Sequence, residues 1–158
     1  MAKIPVDYRR FLITGRFGPL EVGDPWTKVV AALGECPDYG EDRWGTGYAT
    51  YGCVDITTRE GAVLTIKLTL RRPHLRDPAP APPPEAVELL EFERPALTVA
   101  QVDRLLADAG VERRTLDALC DATTTYYQTA AGVHIQLERG RVLAVCAQGM
   151  FAGWVESA

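Results

Sequence analysis

The sequence predicts an α+β fold built from two tandem pseudo-repeats, and three observations in its 158 residues point to it. Residues 54–66, VDITTREGAVLTI, align without a gap to residues 133–145, VHIQLERGRVLAV. Val54/Val133, Ile56/Ile135, Gly61/Gly140, Val63/Val142 and Leu64/Leu143 are identical. Both stretches alternate apolar and polar residues and turn at a glycine, the pattern of a β-hairpin. Upstream of each lies a segment of helical periodicity that ends in glycine, residues 25–34 and 99–110. Between the copies, residues 77–84 read DPAPAPPP, which suits neither a helix nor a central strand and extends as a polyproline-like linker of roughly 3 Å per residue. The expected organisation is a first α+β repeat over residues 1–76, the linker over 77–84 and a second α+β repeat over 85–158. Each repeat is a short helix or two packed on an antiparallel sheet, and the whole forms one pseudosymmetric unit.

In chain order, residues 6–15 start with Asp7 as an N-cap and put Tyr8, Phe11 and Leu12 on one helical face, with a strand over 10–14 as the alternative. Gly15, Gly18 and Pro19 then break the pattern, and residues 20–22 alternate briefly. Asp24 is expected to cap a helix that has Pro25 at its first position, where the missing N–H costs nothing. Trp26, Val29, Val30 and Leu33 recur at helical spacing, and Gly34 stops the helix. Residues 35–47 read as a loop and 48–55 as one strand. A turn or a continuation of the strand at 58–61 leads into a strand over 62–70, whose alternation implies one buried and one solvated face, hence an antiparallel sheet.

In the second copy, residues 85–92 fit a helix or a strand. Thr98 caps a helix with Val99, Val102, Leu105, Leu106 and Ala109 on its apolar side. Aligned on their terminal glycines, the two helices lie 76 residues apart (Trp26/Val102, Gly34/Gly110), whereas the hairpins lie 79 apart. Strands are expected at 123–128, 132–137 and 141–148, and the apolar tail 150–154 is expected to pack back on the sheet.

Composition narrows the function classes. An apolar fraction of 47% and a charged fraction of 24% fit an ordinary globular domain. The net charge of −4 argues against a nucleic-acid partner. The charge is uneven: eleven basic against ten acidic residues in 1–79 leave +1, and six against eleven in 80–158 leave −5. No apolar run reaches the 18 or so residues of a membrane span, and the N-terminus lacks the apolar core of a signal peptide, so a cytoplasmic protein is expected. Cys36, Cys53, Cys120 and Cys146 form no C-x-x-C pair and read as unbridged thiols.

Catalytic and metal motifs do not emerge. There is no P-loop, no G-x-G-x-x-G and no G-x-S-x-G. His74 borders the linker, and His134 alternates with core positions and should point away from the core. An enzyme built on Cys53 or His134 is a minor alternative, since a catalytic dyad also needs an orienting group and a cleft. No metal and no cofactor are expected, and neither Cys53 nor His134 is expected to be required for function.

One surface stands out instead. The stretch 35–51, ECPDYGEDRWGTGYATY, joins acidic to aromatic residues. Asp38, Tyr39, Glu41, Asp42, Trp44, Tyr48 and Tyr51 are the candidate partner-binding residues. Aromatic rings give large contact area at low entropic cost and carboxylates steer a basic partner. The competing expectation is that these rings cap the core and the acids solvate a loop. Thr123–Tyr127 places similar aromatics in the second copy, half of them core by alternation.

The phrase RFGPLEVGDPWTKVVAALGECPDYG, followed by a Tyr-Gly strand and a hairpin, resembles the helix–loop–sheet repeats of the β-lactamase-inhibitor-protein-like superfamily, which includes small outer-membrane assembly lipoproteins. The resemblance covers residues 16–70 and, more loosely, 95–148. It implies the α+β repeat architecture and brings no catalytic residues. Many stand-alone proteins of this kind in actinobacteria resemble immunity proteins of toxin systems. The functional expectation is thus a non-enzymatic protein-binding module, a cytoplasmic bacterial immunity protein that neutralises a cognate, basic toxin domain. The alternative is a small-molecule or peptide binder using the groove between the repeats.

Overall fold

The computed structural model describes residues 4–69, 87–88 and 97–148. His74, the linker 77–84, most of the 85–92 segment and the tail 150–154 lie outside the described residues. The chain is α+β, and its described residues form three helices and an eight-stranded antiparallel sheet. The helices are α1 (Tyr8–Thr14), α2 (Trp26–Leu33) and α3 (Val99–Asp108). The strands of the large sheet are β2 (Gly40–Glu41), β3 (Thr46–Tyr51), β4 (Val54–Arg59), β5 (Ala62–Thr69), β7 (Arg113–Thr115), β8 (Thr124–Thr129), β9 (Val133–Glu138) and β10 (Arg141–Gln148). Two further residue pairs, β1 (Ile4–Pro5) and β6 (Val87–Glu88), pair in parallel.

The large sheet runs β2-β3-β4-β5-β10-β9-β8-β7. Each four-strand half is an antiparallel meander, and the halves meet where β5 pairs with β10, Leu68 opposite Val145 and Ile66 opposite Ala147. The expected two sheets are therefore one, with continuous pairing across the seam. Alternation sorts the faces. Val54, Ile56, Val63, Ile66, Leu68, Val133, Ile135, Leu137, Val142 and Val145 point to one side and are buried. Phe11 and Leu12 of α1, Val29 and Leu33 of α2 and Val102 and Leu106 of α3 join the same core cluster. Burying a side chain of this size contributes about 1.5–3 kcal/mol, which is what holds so short a set of helices in place.

Local chemistry explains each helix. Asp7 accepts the Arg10 N–H at 3.0 Å as the N-cap of α1, and Gly15 ends it in the left-handed conformation. Helix α3 opens with a capping box: Thr98 Oγ1 accepts from the Gln101 N–H, and Gln101 Oε1 accepts from the Thr98 N–H at 2.8 Å. Asp24 does not cap α2, contrary to its sequence reading. Its carboxylate turns back to accept the Glu21 N–H at 2.8 Å and forward to Lys28 Nζ at 2.9 Å. Burial opposes its ionisation. Those hydrogen bonds and the charges of Lys28 and Arg16 outweigh it and hold the carboxyl below the usual aspartate range.

A folded-state value below the unfolded one stabilises the fold above the unfolded pKa and is lost as pH falls through the folded one. Asp24→Asn should therefore lower stability at neutral pH by on the order of 1 kcal/mol and flatten the acid limb below about pH 4. Melting temperatures across pH for both proteins check this, and parallel acid limbs would exclude it.

Helices α2 and α3 dock on their hairpins through the same contacts. The Trp26 N–H donates to Gly61 O, and the Val99 N–H to Gly140 O. The Val63 N–H donates to Asp24 O, and the Val142 N–H to Leu97 O. These bonds match Trp26 to Val99 and bring the buried Val29 and Leu33 opposite Val102 and Leu106, an offset of 73 rather than 76. Helix α3 is longer by two residues at its C-terminal end, so its terminal glycine misleads the alignment. Both hairpin turns put two residues at positive φ, Glu60-Gly61 at 52° and 78° and Arg139-Gly140 at 50° and 75°, as a two-residue I′ turn requires. Both strands after the turn also carry a bulge, at Leu64 and at Leu143.

Three strand assignments change. The stretch read as one strand, 48–55, turns at Gly52 and divides between β3 and β4. The loop 35–47 contains β2, and β7 and a 3-10 turn at Asp117–Leu119 precede β8. Helix α1, from the first half, packs against β9 and α3 of the second. Val133 Cγ2 lies near Gly15, where an added Cβ would meet it at 3.4 Å. The two halves are interlocked by this packing as well as by the seam.

Candidate functional site

The β2–β3 hairpin holds the residues that the sequence singles out, and the fold sorts them into two groups. Asp42 sits in the turn, and its Oδ1 accepts the Trp44 N–H at 2.8 Å and the Thr46 N–H at 3.0 Å. It is committed to shaping the loop, as aspartate in such turns is. Tyr51 is 2% exposed, and its hydroxyl donates to Gly34 O at 3.0 Å. Burial pushes its phenol well above the usual value. Tyr51 thus ties β3 to the end of α2 and is core, a correction to its sequence reading. Tyr39 is half-buried, stacked on Trp26 with centroids 4.3 Å apart, and its hydroxyl bonds Thr58 Oγ1 at 3.3 Å. Gly47 makes room for that hydroxyl: a Cβ there would collide with Tyr39 Oη and Thr58 Oγ1.

The second group faces solvent. Trp44 is 65% and Tyr48 55% exposed, the two most exposed large apolar residues among those described. Asp38 and Glu41 are also exposed. The Arg43 guanidinium lies over the Trp44 ring, 3.9 Å from its centroid, as a cation–π contact. Tyr48 lies opposite Thr57 on the sheet face turned away from the described helices, and Tyr126 lies opposite Gln136 on the same face. The rings expected to grip a partner are reduced to Trp44 and Tyr48, with Asp38 and Glu41 as the exposed carboxylates, Glu41 also accepting from the Tyr39 hydroxyl at 3.4 Å.

The face turned away from the three helices carries a row that the sequence did not reveal. Cross-strand pairing lines up Thr50, Asp55, Lys67, Cys146, His134, Gln128 and Arg114 across seven strands. Thr50 Oγ1 donates to Asp55 at 2.9 Å, and the Arg114 guanidinium donates to Gln128 Oε1 at 2.6 and 3.0 Å. The register sets Cys146, and not Cys53, directly opposite His134. Burial, then the Arg114 charge, lowers the His134 pKa below its usual value, and burial raises the Cys146 thiol above its own. Both groups are therefore neutral at neutral pH, the opposite of the thiolate–imidazolium pair of a reactive cysteine. Cys36 is buried, the other three cysteines are half-buried, and none is in a disulfide. Among the described residues, no three of His, Cys, Asp and Glu are grouped to hold a metal ion. No helix among them is long and apolar enough to cross a membrane.

Comparison with protein families, with curated proteins and with solved structures finds no match to this chain. The reading of function rests on the site itself.

Proposed function

We propose that this chain is a non-enzymatic protein-binding module, a cytoplasmic bacterial immunity protein that neutralises a cognate toxin. The observation that carries the reading is Trp44, largely exposed on a turn that the Asp42 hydrogen bonds shape, with the Arg43 guanidinium over its ring. A large aromatic side chain on a preorganised turn binds without first losing much conformational freedom. Asp38 and Glu41 beside it favour a basic toxin domain. We further read the fold as two tandem copies, 1–76 and 85–158, related as members of the β-lactamase-inhibitor-protein-like superfamily are. The mirrored strand order, the matched docking bonds and the bulges at Leu64 and Leu143 support this.

The test of the partner chemistry is charge reversal. Asp38→Lys with Glu41→Lys should slow association with a basic toxin domain encoded beside this protein by about tenfold at low salt, flatten the salt dependence and leave dissociation nearly unchanged. Stopped-flow mixing over a salt series measures both rates. An association rate that the reversal leaves alone would remove this face from the interface.

A further inference from the structure

We propose that the cavity beside the β4–β5 turn binds a small apolar zwitterion of the size and chemistry of an aliphatic α-amino acid. The cavity measures about 480 Å³, within the ~300–1,000 Å³ of small-molecule sites. Val22, Ala62, Val63 and Leu64 give it an apolar lining, and Arg59 and Glu60 bring one charge of each sign. Both charged side chains are exposed, and neither forms an ion pair or side-chain hydrogen bond among the described residues. Both charges thus face solvent beside the cavity.

The walls are preformed. The Gly23 N–H donates to Val63 O at 2.7 Å and the Val63 N–H to Asp24 O at 2.7 Å, so the 22–24 segment is bonded to β5 directly beside the bulge at Leu64. A Cβ at Gly23 would meet nothing within 4 Å, so the cavity is open on that side. The charge pattern selects the ligand. A carboxylate alone would be drawn by Arg59 and repelled by the neighbouring Glu60; an amine alone would meet the reverse. A zwitterion satisfies both while its aliphatic body covers the half-buried Val22 and Leu64 side chains. This site is separate from the exposed indole, although Glu60 reaches that hairpin through its N–H to Gly45 O at 2.9 Å.

The test uses the full-length protein and three probes of one shape: leucine, 4-methylpentanoate and 3-methylbutylamine. Calorimetric titration should show saturable binding of leucine, with each single-charge analogue about tenfold weaker or worse. Arg59→Met should reduce leucine to the level of the amine, and Glu60→Gln to that of the carboxylate. Ala62→Trp should fill the cavity and abolish binding at an unchanged melting temperature. If that variant misfolds, the two charge variants decide alone. No saturable binding of leucine, analogues that bind as well as leucine, or charge variants that bind like the parent would each overturn the proposal.

Discussion

Trp44→Ala should leave the melting temperature where it is and weaken partner binding at least thirtyfold. The ring is 65% exposed, and only its backbone N–H takes part in the turn, through Asp42. Truncating an exposed side chain of this kind changes stability by no more than about 0.5 kcal/mol. Truncating a tryptophan at the centre of an interface costs about 2 kcal/mol or more, which is the thirtyfold. Tyr48→Ala on the same hairpin should behave alike with a smaller loss. Melting temperature and affinity, measured on the same preparation, separate the two roles. A melting point several degrees lower would make Trp44 a structural residue, and an unchanged affinity would place the interface elsewhere.

Leu68→Ala should have the converse effect, a large loss of stability. Leu68 is fully buried and stands in register with Val54 on one side and Val145 on the other. It therefore joins both halves of the sheet. A leucine-to-alanine change at such a site costs about 2–5 kcal/mol, against a total of about 5–15 kcal/mol for a domain. Lys67→Ala, one residue away on the opposite face, should cost about 0.5 kcal/mol or less. Urea denaturation of both variants measures the difference. The wild-type transition should be single, since the seam and helix α1 couple the halves. Two separate transitions would show that the halves hold together independently.

What the sequence disclosed follows from how local each signal is. Helix α3 was legible because Thr98, Gln101, Val102 and Leu106 carry its cap and its apolar face within nine residues. The hairpin turns were legible because Gly61 and Gly140 repeat inside matched alternations. Strand β7 was not, because Arg113, Arg114 and Thr115 form a polar edge whose place is set by pairing to Tyr127–Thr129. The turn at Gly52 escaped notice because its only local mark is one glycine inside a run of strand-forming residues, Tyr48 to Val54. The helix offset failed because a terminal glycine marks where a helix ends, whereas docking is fixed by the hydrogen bonds at its start.

The candidate site divides along the same line. The stretch 35–51 could be found from its composition. That Tyr48 faces out and Tyr51 faces in depends on which side of β3 the helices cover. The row through Lys67, Cys146 and His134 joins residues that meet only through strand register, which no local pattern encodes.

The seam between β5 and β10 has a consequence for synthesis. Strand β5 pairs with residues 75 to 83 positions further along the chain. At about 5–20 residues per second, the ribosome makes that stretch in roughly 4–16 s. Throughout that interval the first meander exposes an open strand edge and the apolar side of Ile66 and Leu68, the kind of edge that recruits other chains. A nascent chain of this protein is thus most prone to misassociate before its second half is complete, and slower translation over the second half should raise the aggregated fraction without altering the stability of the finished fold.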